Sequence, residues 1–412
     1  MQITFIDGIF FFYTFVGLYM SIFFITIYLR NRRELLYYPK GKPRPVSIVI
    51  PCYNEEATIG KAIESMLALD YPKEMLEIIV VDDKSADNSA KVAKKYASRY
   101  HNVRVIVNKR NSGKAAEPTN IGVKAAKYDY VVVADADSTP DKDALLKMIG
   151  FLQDDKSVGA VTCSVMVREP KSFMQRLQAI EYTVIAWERK LLDCIDAVYV
   201  TPGPFALYRK KVLLEIGLFD TTNMTQDIEI VWKMLSKGYK ARMCLDAKVH
   251  SEAPTNFWAW VRQRIRWNVG GMQCISKYKK YILQKGMLGL FVVPFFTVSM
   301  FMGVFGFGLF GYLIAKRVLS TYLSTKYSVY ADIAVLRFQD LSFTPSVLNF
   351  FGVALFFLGL FLAVFALSFM KMEKKRRGSA FNILFYMLVY LSIYPIILIT
   401  SFYKLFRGNY KW

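Results

Sequence analysis

Four long apolar runs divide this chain into parts of different character. The first, at residues 9–29, carries no charge and is long enough to cross a bilayer as a helix. Three more lie in the C-terminal third, at residues 287–315, 346–370 and 381–403. Between the first run and the last three, short apolar stretches alternate with amphipathic ones. The pattern predicts a membrane anchor at 1–33, a water-facing domain, and a group of transmembrane helices at 286–412.

Residues 44–250 show alternating strand and helix patterns. Apolar, strand-like stretches occur at residues 46–50, 78–81, 103–107 and 130–133. Helical patterns, such as those at 57–69 and 90–100, lie between them. Continuous apolar strands alternating with helices indicate a mostly parallel sheet with helices on both faces. We therefore predict an α/β domain at 44–250, joined to the α-helical transmembrane region through an interfacial helical segment at 251–285.

Positive charges beside the apolar runs predict the orientation in the membrane. Three arginines follow the first run: Arg30, Arg32 and Arg33. By the positive-inside rule, the α/β domain and the basic block at 371–377 lie in the cytoplasm of a multi-pass cell-membrane protein. The C-terminal tail is also basic, with Lys404, Arg407 and Lys411. Strict alternation puts this tail outside, against the same rule, unless the last run re-enters the membrane or the run at 287–315 bends at its glycines.

Composition narrows the classes of partner and chemistry. The net charge is +21, from 54 basic and 33 acidic side chains, which favours an anionic membrane surface, a phosphorylated substrate or nucleic acid. Because the sequence has no Arg-Gly repeat, zinc spacing or basic zipper, we expect a lipid bilayer and no nucleic acid as partner. The five cysteines are widely spaced without a CxxC pair, as in reduced cytosolic domains. With only His101 and His250 available, the chemistry must rest on carboxylates.

Polar residues cluster where the predicted strands end, at positions 52–56, 82–85, 111–114 and 135–137. Ligands of parallel sheets bind beyond the carboxyl ends of the strands, so the four clusters together outline a nucleotide pocket. Asp135 and Asp137 could share one hard divalent cation that neutralises a diphosphate. Lys114 could place a positive charge on the same phosphates. The alternative is that Asp and Asn at these strand ends only cap helices.

Seven sequence motifs occur in the order seen in family 2 glycosyltransferases: VSIVIPCYNEE, VVDDKSADN, NSGKAAEPTNIG, VVADADS, TPGPFALYRKK, TQDIEIVWKMLSKGY and QRIRW. Over about residues 44–275 the chain resembles that family, and within it the branch of poly-N-acetylglucosamine, hyaluronan, chitin and cellulose synthases. The resemblance implies a GT-A fold, which agrees with the alternation of strands and helices. It also implies inverting transfer of a sugar from a UDP-sugar donor.

The resemblance also implies roles for individual residues. Together with the lysine noted above, the expected nucleotide-sugar-binding set is Tyr53, Glu55, Asp83, Lys114, Asp135, Gln263 and Arg266. Asp135 and Asp137 would in addition hold Mg²⁺ or Mn²⁺, and Asp227 would be the catalytic base. Four residues would contact the acceptor, the last by stacking on its sugar: Gly203, Pro204, Phe205 and Trp267.

The QRIRW segment is predicted to be a helix with one functional face. Gln263, Arg266 and Trp267 lie at i, i+3 and i+4, so a helix presents all three side chains together. The alternative is an amphipathic helix at the membrane surface, because aromatic and basic residues are frequent here: Trp258, Trp260, Arg262 and Arg264. We expect the helix to do both. The segment at 172–195 has a similar pattern, for which core packing and membrane contact are equally expected.

Three positions depart from the pattern of the family. Lys84 stands where glycine is usual, and Gln226 stands where glutamate precedes the base. Thr201 and Pro202 occupy positions where a serine often precedes the glycine. The change at 226 removes a negative charge beside the expected base, but no departure affects the base itself.

The sequence therefore predicts a processive synthase that extends a β-linked glycan, with N-acetylglucosamine the first expectation for the sugar. The membrane helices could pass the growing glycan across the bilayer. An alternative is an enzyme that transfers one or a few sugars to a lipid acceptor. A third hypothesis is an inactive scaffold of a polysaccharide export complex, which would be expected to have lost Asp227 or the Asp135 and Asp137 pair. The sequence makes no prediction about accessory subunits.

Overall fold

The apolar stretches of the water-facing region become strands of a single sheet. The computed structural model describes residues 5–330 and 347–408, and within these ranges the sheet has eight strands. In chain order they are β1 (Val46–Cys52), β2 (Leu76–Asp82), β3 (Val103–Val107), β4 (Tyr130–Val133), β5 (Thr139–Pro140), β6 (Val158–Val167), β7 (Ala206–Arg209) and β8 (Lys240–Ser251). Their order across the sheet is β3-β2-β1-β4-β7-β6-β8-β5.

The first half of the sheet is parallel and the second half is mixed. β3, β2, β1 and β4 pair in parallel, as do β6 and β8, whereas β7 is antiparallel to β4 and β6, and β5 to β8. The predicted α/β class with a mostly parallel sheet is confirmed. The sequence pattern does not predict the antiparallel β7, because its four residues are too few to show a periodicity.

Helices cover both faces of the sheet, as predicted. In chain order the first nine described helices are α1 (Phe5–Asn31), α2 (Ile59–Leu67), α3 (Ser89–Ala97), α4 (Ala116–Ala125), α5 (Ala144–Asp154), α6 (Phe173–Asp193), α7 (Lys210–Glu215), α8 (Gln226–Ser236) and α9 (Phe257–Tyr278). Single 3₁₀ turns lie at Lys73–Met75 and Lys279–Tyr281. Alternate side chains of β1 pack into two separate cores. Ile48 and Ile50 belong to the core beneath α2 and α5, whereas Val49 belongs to the core beneath α4 and α8.

Each apolar run forms a helix. In the described ranges, four stretches are long and apolar enough to cross a membrane: Phe5–Asn31, Leu288–Tyr330, Gly352–Phe369 and Ala380–Phe406. After α9 the elements are a π-helical turn (Leu288–Val292), α10 (Val293–Tyr330), α11 (Val347–Phe369), α12 (Lys374–Arg377), α13 (Ala380–Phe385), a second π-helical turn (Tyr386–Tyr390) and α14 (Leu391–Phe406). The α-helix continues through the glycines of α10 and through Pro395 of α14. Position 346 and Lys411, both named above, lie outside the described residues.

The amphipathic segment at 172–195 becomes α6, which lies between the sheet and the membrane helices. Ser172 starts the helix in a capping box with Gln175, in which each side chain accepts a hydrogen bond from the backbone amide of the other. Further along, Leu177 and Trp187 of α6 share a core with Ile27 of α1 and residues of α11. Core packing and membrane contact are both expected from the pattern of this segment, and the structure favours core packing.

Candidate active site

The carboxylates that follow β4 form the centre of the site. Asp135 is partly buried beyond the carboxyl end of β4, and Asp137 follows it on the same loop. Removal from water and repulsion from the Asp137 and Asp227 carboxylates raise the pKa of Asp135 to about 8. The Arg266 guanidinium acts in the opposite direction. The structure thus brings together side chains from the end of β4, from α8 and from α9.

Asp227 lies at the start of α8, directly after Gln226. Burial raises the pKa of Asp227, and the Arg266 guanidinium opposes this increase. The backbone carbonyl of Asp227 accepts a hydrogen bond of 3.2 Å from the Thr201 amide, which ties the helix to the loop before β7. A half-buried carboxyl group with a raised pKa has the properties of a general base.

The three residues at i, i+3 and i+4 of the QRIRW segment do lie on one helix, α9. Gln263, Arg266 and Trp267 are all partly exposed. One turn further on, a Cβ at Gly270 would lie 2.0 Å from Thr225 Oγ1, so only glycine allows this approach of α9 to the beginning of α8. The contact holds the functional face of α9 beside the first turn of α8.

Beside this face, α9 is buried, which the alternative of an amphipathic helix at the membrane surface does not predict. Trp258 is 68% exposed and fits that reading, but Trp260 and Arg264 are fully buried. Arg264 forms a buried ion pair with Glu181 of α6, and its guanidinium carbon lies 3.9 Å from the ring centre of Trp267. The expectation that Trp260 and Arg264 lie at the membrane surface is therefore wrong, because a buried carboxylate on α6 holds the arginine inside the protein.

The residues expected to contact the nucleoside differ in their surroundings. Tyr53 is half exposed, whereas Glu55 is partly buried and burial raises its pKa. Asp83 is buried, and its carboxylate accepts hydrogen bonds from the Asn108 side chain (2.7 Å) and from the amide (2.9 Å) and hydroxyl (2.6 Å) of Ser112. Asp83 therefore fixes the loop after β3, and its contact with a nucleoside stays a prediction.

The two lysines singled out in the sequence have other structural roles. The Lys114 ammonium group donates a hydrogen bond of 2.6 Å to the Thr222 carbonyl, in the segment before α8, so its contact with phosphate also stays a prediction. Lys84 has a φ of 62°, in the left-handed region that favours glycine. This backbone conformation explains why glycine is usual at position 84 in the family that the chain resembles.

The segment expected beside the acceptor divides into exposed and buried parts. A Cβ at Gly203 would lie 2.7 Å and 2.8 Å from the two carboxylate oxygens of Asp135, so this glycine packs directly on the acidic pair. Pro204 is partly exposed, but Phe205 is fully buried in the sheet core. The expected contact between the Phe205 side chain and the acceptor is therefore wrong. Phe205 directly precedes β7, and its side chain packs into the core of the sheet.

Two residues that support the acidic loop are not predicted from the sequence. The Ser251 hydroxyl lies 3.3 Å from both carboxylate oxygens of Asp137. Arg168 donates a hydrogen bond to the Asp137 backbone carbonyl and forms an ion pair of 3.1 Å with Glu252. These residues are far from Asp137 in the chain and belong to no recognisable motif, so only the pairing of the strands brings them together.

An α/β sheet whose acidic edge faces a helix leading into membrane spans is the arrangement of membrane-associated GT-A glycosyltransferases. Residues 43–270, more than half of the chain, match the family described as Glycosyltransferase like family 2, and the chain belongs to that family. It is a glycosyltransferase, as the motifs predict.

Named relatives and a solved structure agree with this assignment. The chain is 32% identical to the poly-beta-1,6-N-acetyl-D-glucosamine synthase of Staphylococcus aureus strain COL over 276 residues, which are 65% of this chain and 66% of that protein. The alignment thus spans slightly less than two thirds of that relative. The Staphylococcus epidermidis protein of the same name is 29% identical over 361 residues, covering 84% of this chain and 85% of that protein.

The mannosyltransferase PcManGT of Pyrobaculum calidifontis, solved in complex with GDP-Man and Mn²⁺, shares the fold. The TM-score is 0.57 at 18% identity, and the match covers 96% of this chain and 99% of that one. Because the match extends over almost the whole of both chains, it includes the helices that flank the catalytic domain. It confirms the expected GT-A fold.

The contact between Gly203 and Asp135 yields a test of the site. In Gly203→Ala, the new methyl group must displace the Asp135 carboxylate, so we expect nucleotide affinity to fall about tenfold or more, or ~1.4 kcal/mol. The matched control is Gly271→Ala, where a Cβ would lie an ordinary 3.4 Å from Met300 Cε. Isothermal titration with nucleotide and thermal unfolding would be measured on both variants. Wild-type affinity in Gly203→Ala would contradict the arrangement.

Proposed function

We propose that the protein is an inverting, membrane-bound synthase that extends a β-linked N-acetylglucosamine polymer from a UDP-sugar. The observation that carries the proposal is the convergence of Asp135, Asp227 and Arg266 beside Trp267, on the helix that leads into the membrane spans. Two relatives that align with 65% and 84% of this chain are named as poly-beta-1,6-N-acetyl-D-glucosamine synthases, which supports the sugar and the polymer. The arginines after α1 support a cytoplasmic catalytic domain.

The side chains of the site suit an inverting displacement. Asp227 would take the proton from the acceptor hydroxyl as that oxygen attacks the anomeric carbon, and the pKa of Asp227, raised by burial, makes it a better base at neutral pH. Arg266 would stabilise the negative charge that accumulates on the leaving diphosphate. Gln263 would donate a hydrogen bond to the diphosphate from its amide NH2 group. Its amide oxygen, buried without a partner in the described part of the chain, would accept from a hydroxyl group of the substrates.

The acidic pair fits a divalent cation that is shared with the donor. Within residues 5–330 and 347–408, no three Asp, Glu, His or Cys side chains converge into a cation site of their own. Asp135 and Asp137 would therefore hold Mg²⁺ or Mn²⁺ together with phosphate oxygens and water, as hard cations with oxygen ligands do. Burial, and then repulsion from the Asp137 and Asp227 carboxylates, raises the pKa of Asp135, and a bound cation would balance that negative charge. When bound, the cation would neutralise the diphosphate of the donor.

The acceptor is proposed to be a growing glycan that stacks on Trp267. Transfer of one or a few sugars to a lipid acceptor would use the same donor site, so donor chemistry does not separate the two functions. The names of the relatives favour a polymer. An inactive scaffold is disfavoured, because Asp227 and both carboxylates of the acidic pair lie together in the site.

The proposed function is tested by the length of the product. The full chain, purified in nanodiscs with Mg²⁺ or Mn²⁺, would be given UDP-N-acetylglucosamine, UDP-glucose, UDP-galactose and GDP-mannose in separate reactions. We expect a long ladder of products from UDP-N-acetylglucosamine and none from GDP-mannose, separated by size on a gel or by mass spectrometry. One sugar added to a lipid would instead favour the single-transfer enzyme.

Asp227→Asn tests the catalytic base. The amide keeps the shape of the side chain but cannot accept the proton, so we expect turnover to fall by about 10²–10⁴-fold while UDP still binds. Asp246→Asn is the control, since Asp246 forms a surface ion pair of 2.8 Å with Lys147. Rates would be measured by UDP release at saturating donor. Unchanged turnover in Asp227→Asn would rule out this assignment.

The pKa of Asp135, raised to about 8, predicts how cation affinity depends on pH. Below that pH the carboxyl group is protonated and binds a cation poorly, so affinity for Mn²⁺ without nucleotide should rise between about pH 6 and pH 9. Electron paramagnetic resonance of free Mn²⁺ measures this affinity. Asp135→Asn should remove most of the dependence on pH. An affinity that is constant or falls over this range would contradict the prediction.

A further inference from the structure

The carboxylate of Glu181 is a meeting point of three helices at the boundary between the catalytic domain and the last membrane span. Arg264 of α9 donates to its Oε2 atom in a buried ion pair. The Tyr390 hydroxyl, from the π-helical turn, donates to the same oxygen at 2.7 Å, and the Tyr394 hydroxyl of α14 donates to Oε1. Removing one partner of such a buried pair leaves an uncompensated charge, so the four groups hold one arrangement.

The same arginine touches the residue proposed to bind the acceptor. The guanidinium carbon of Arg264 lies 3.9 Å from the ring centre of Trp267, within the range of a cation–π contact. Tyr182, next to Glu181 on α6, has its ring 6.4 Å from that of Trp267 and 5.8 Å from the Arg264 guanidinium. Trp267 keeps part of its surface exposed. The orientation of the indole is thus set from the protein side by a cation that Glu181 fixes.

Packing alone does not explain the arginine. Two of its nitrogens, Nε and Nη1, are buried without a hydrogen-bond partner in the described part of the chain. Leaving buried donors unpaired is unfavourable, and an apolar side chain at this position would avoid it. A flat cation against an indole is, in contrast, a specific geometry that an aliphatic side chain does not provide.

We propose that Arg264 and Glu181 are positioning residues, which fix the Trp267 indole for the acceptor and connect it to the last membrane span through Tyr390 and Tyr394. The inference rests on the proposed function, because it takes Trp267 to be the acceptor platform. Both side chains are buried and would act on the acceptor through Trp267. Their loss should therefore weaken acceptor binding and leave UDP binding intact.

The test compares variants of the full chain in nanodiscs, each made with Asp227→Asn to prevent turnover. Glu181→Gln removes the charge that fixes Arg264. Tyr394→Phe is a milder change that removes one hydroxyl group and leaves the ion pair. Tyr386→Phe is the matched control. This tyrosine is buried and lies just over one helical turn before the start of α14. Among the described residues, its hydroxyl makes no hydrogen bond to Glu181.

Binding of a β-1,6-linked N-acetylglucosamine oligosaccharide and of UDP would be measured separately by isothermal titration. We expect oligosaccharide affinity to fall about tenfold in Glu181→Gln and about threefold in Tyr394→Phe, with UDP affinity within about twofold of the parent. Tyr386→Phe should match the parent for both ligands. In chains with Asp227 restored, the acceptor KM should rise more than kcat falls.

Two results would overturn the inference in different ways. If the parent binds the oligosaccharide and both Glu181→Gln and Tyr394→Phe bind it equally well, Trp267 does not depend on the Glu181 cluster. If Glu181→Gln fails to fold, Tyr394→Phe alone decides, by the same comparison with Tyr386→Phe. If the parent binds UDP but no oligosaccharide, the proposed function fails, and the inference that rests on it fails with it.

Discussion

At one point α9 packs closely against the start of α8: a Cβ at Gly270 of α9 would lie 2.0 Å from the hydroxyl oxygen of Thr225, the residue before α8. Behind this contact, Glu229 of α8 is completely buried, and its Oε1 atom accepts hydrogen bonds from Lys277 (2.7 Å) and Tyr278 (2.8 Å) of α9. A close approach and a buried polar network together fix the position of one helix on the other. Because Asp227 begins α8 and Arg266 lies on α9, the relation of base to cation depends on this interface.

The resulting site holds three carboxylates, Asp135, Asp137 and Asp227, close enough to repel one another. The pKa of Asp135 rises from 3.8 to about 8, through burial and then through repulsion from Asp137 and Asp227. The folded protein therefore binds this proton more tightly than the unfolded chain does, so the carboxyl group lowers stability progressively as the pH rises from about 4 to 8. The cores on both faces of the sheet must offset that cost. A cation and a diphosphate that bind only the folded state would reduce it.

The sequence predicts what depends on local pattern and misses what depends on distant contacts. Apolar runs are enough to predict the four parallel strands β1 to β4 and the membrane helices, and the acidic pair follows from its position after β4. The burial of Phe205 could not be predicted, because it follows from the antiparallel insertion of β7. The ion pair between Arg264 and Glu181 joins residues 83 positions apart. Nothing in the pattern around Glu181 distinguishes it from an exposed glutamate on an amphipathic helix.

Helix α9 carries residues proposed for both substrates, Gln263 and Arg266 for the donor and Trp267 for the acceptor. The acidic pair and the loops around Glu55 and Asp83 follow strands β1, β2 and β4, whose side chains pack in the two cores of the sheet. Besides α8, the partners of α9 include α6 and the last membrane span. Glu181 therefore connects the last membrane span to Trp267 through Arg264. This connection gives a physical reason for the membrane region to influence how the acceptor is held.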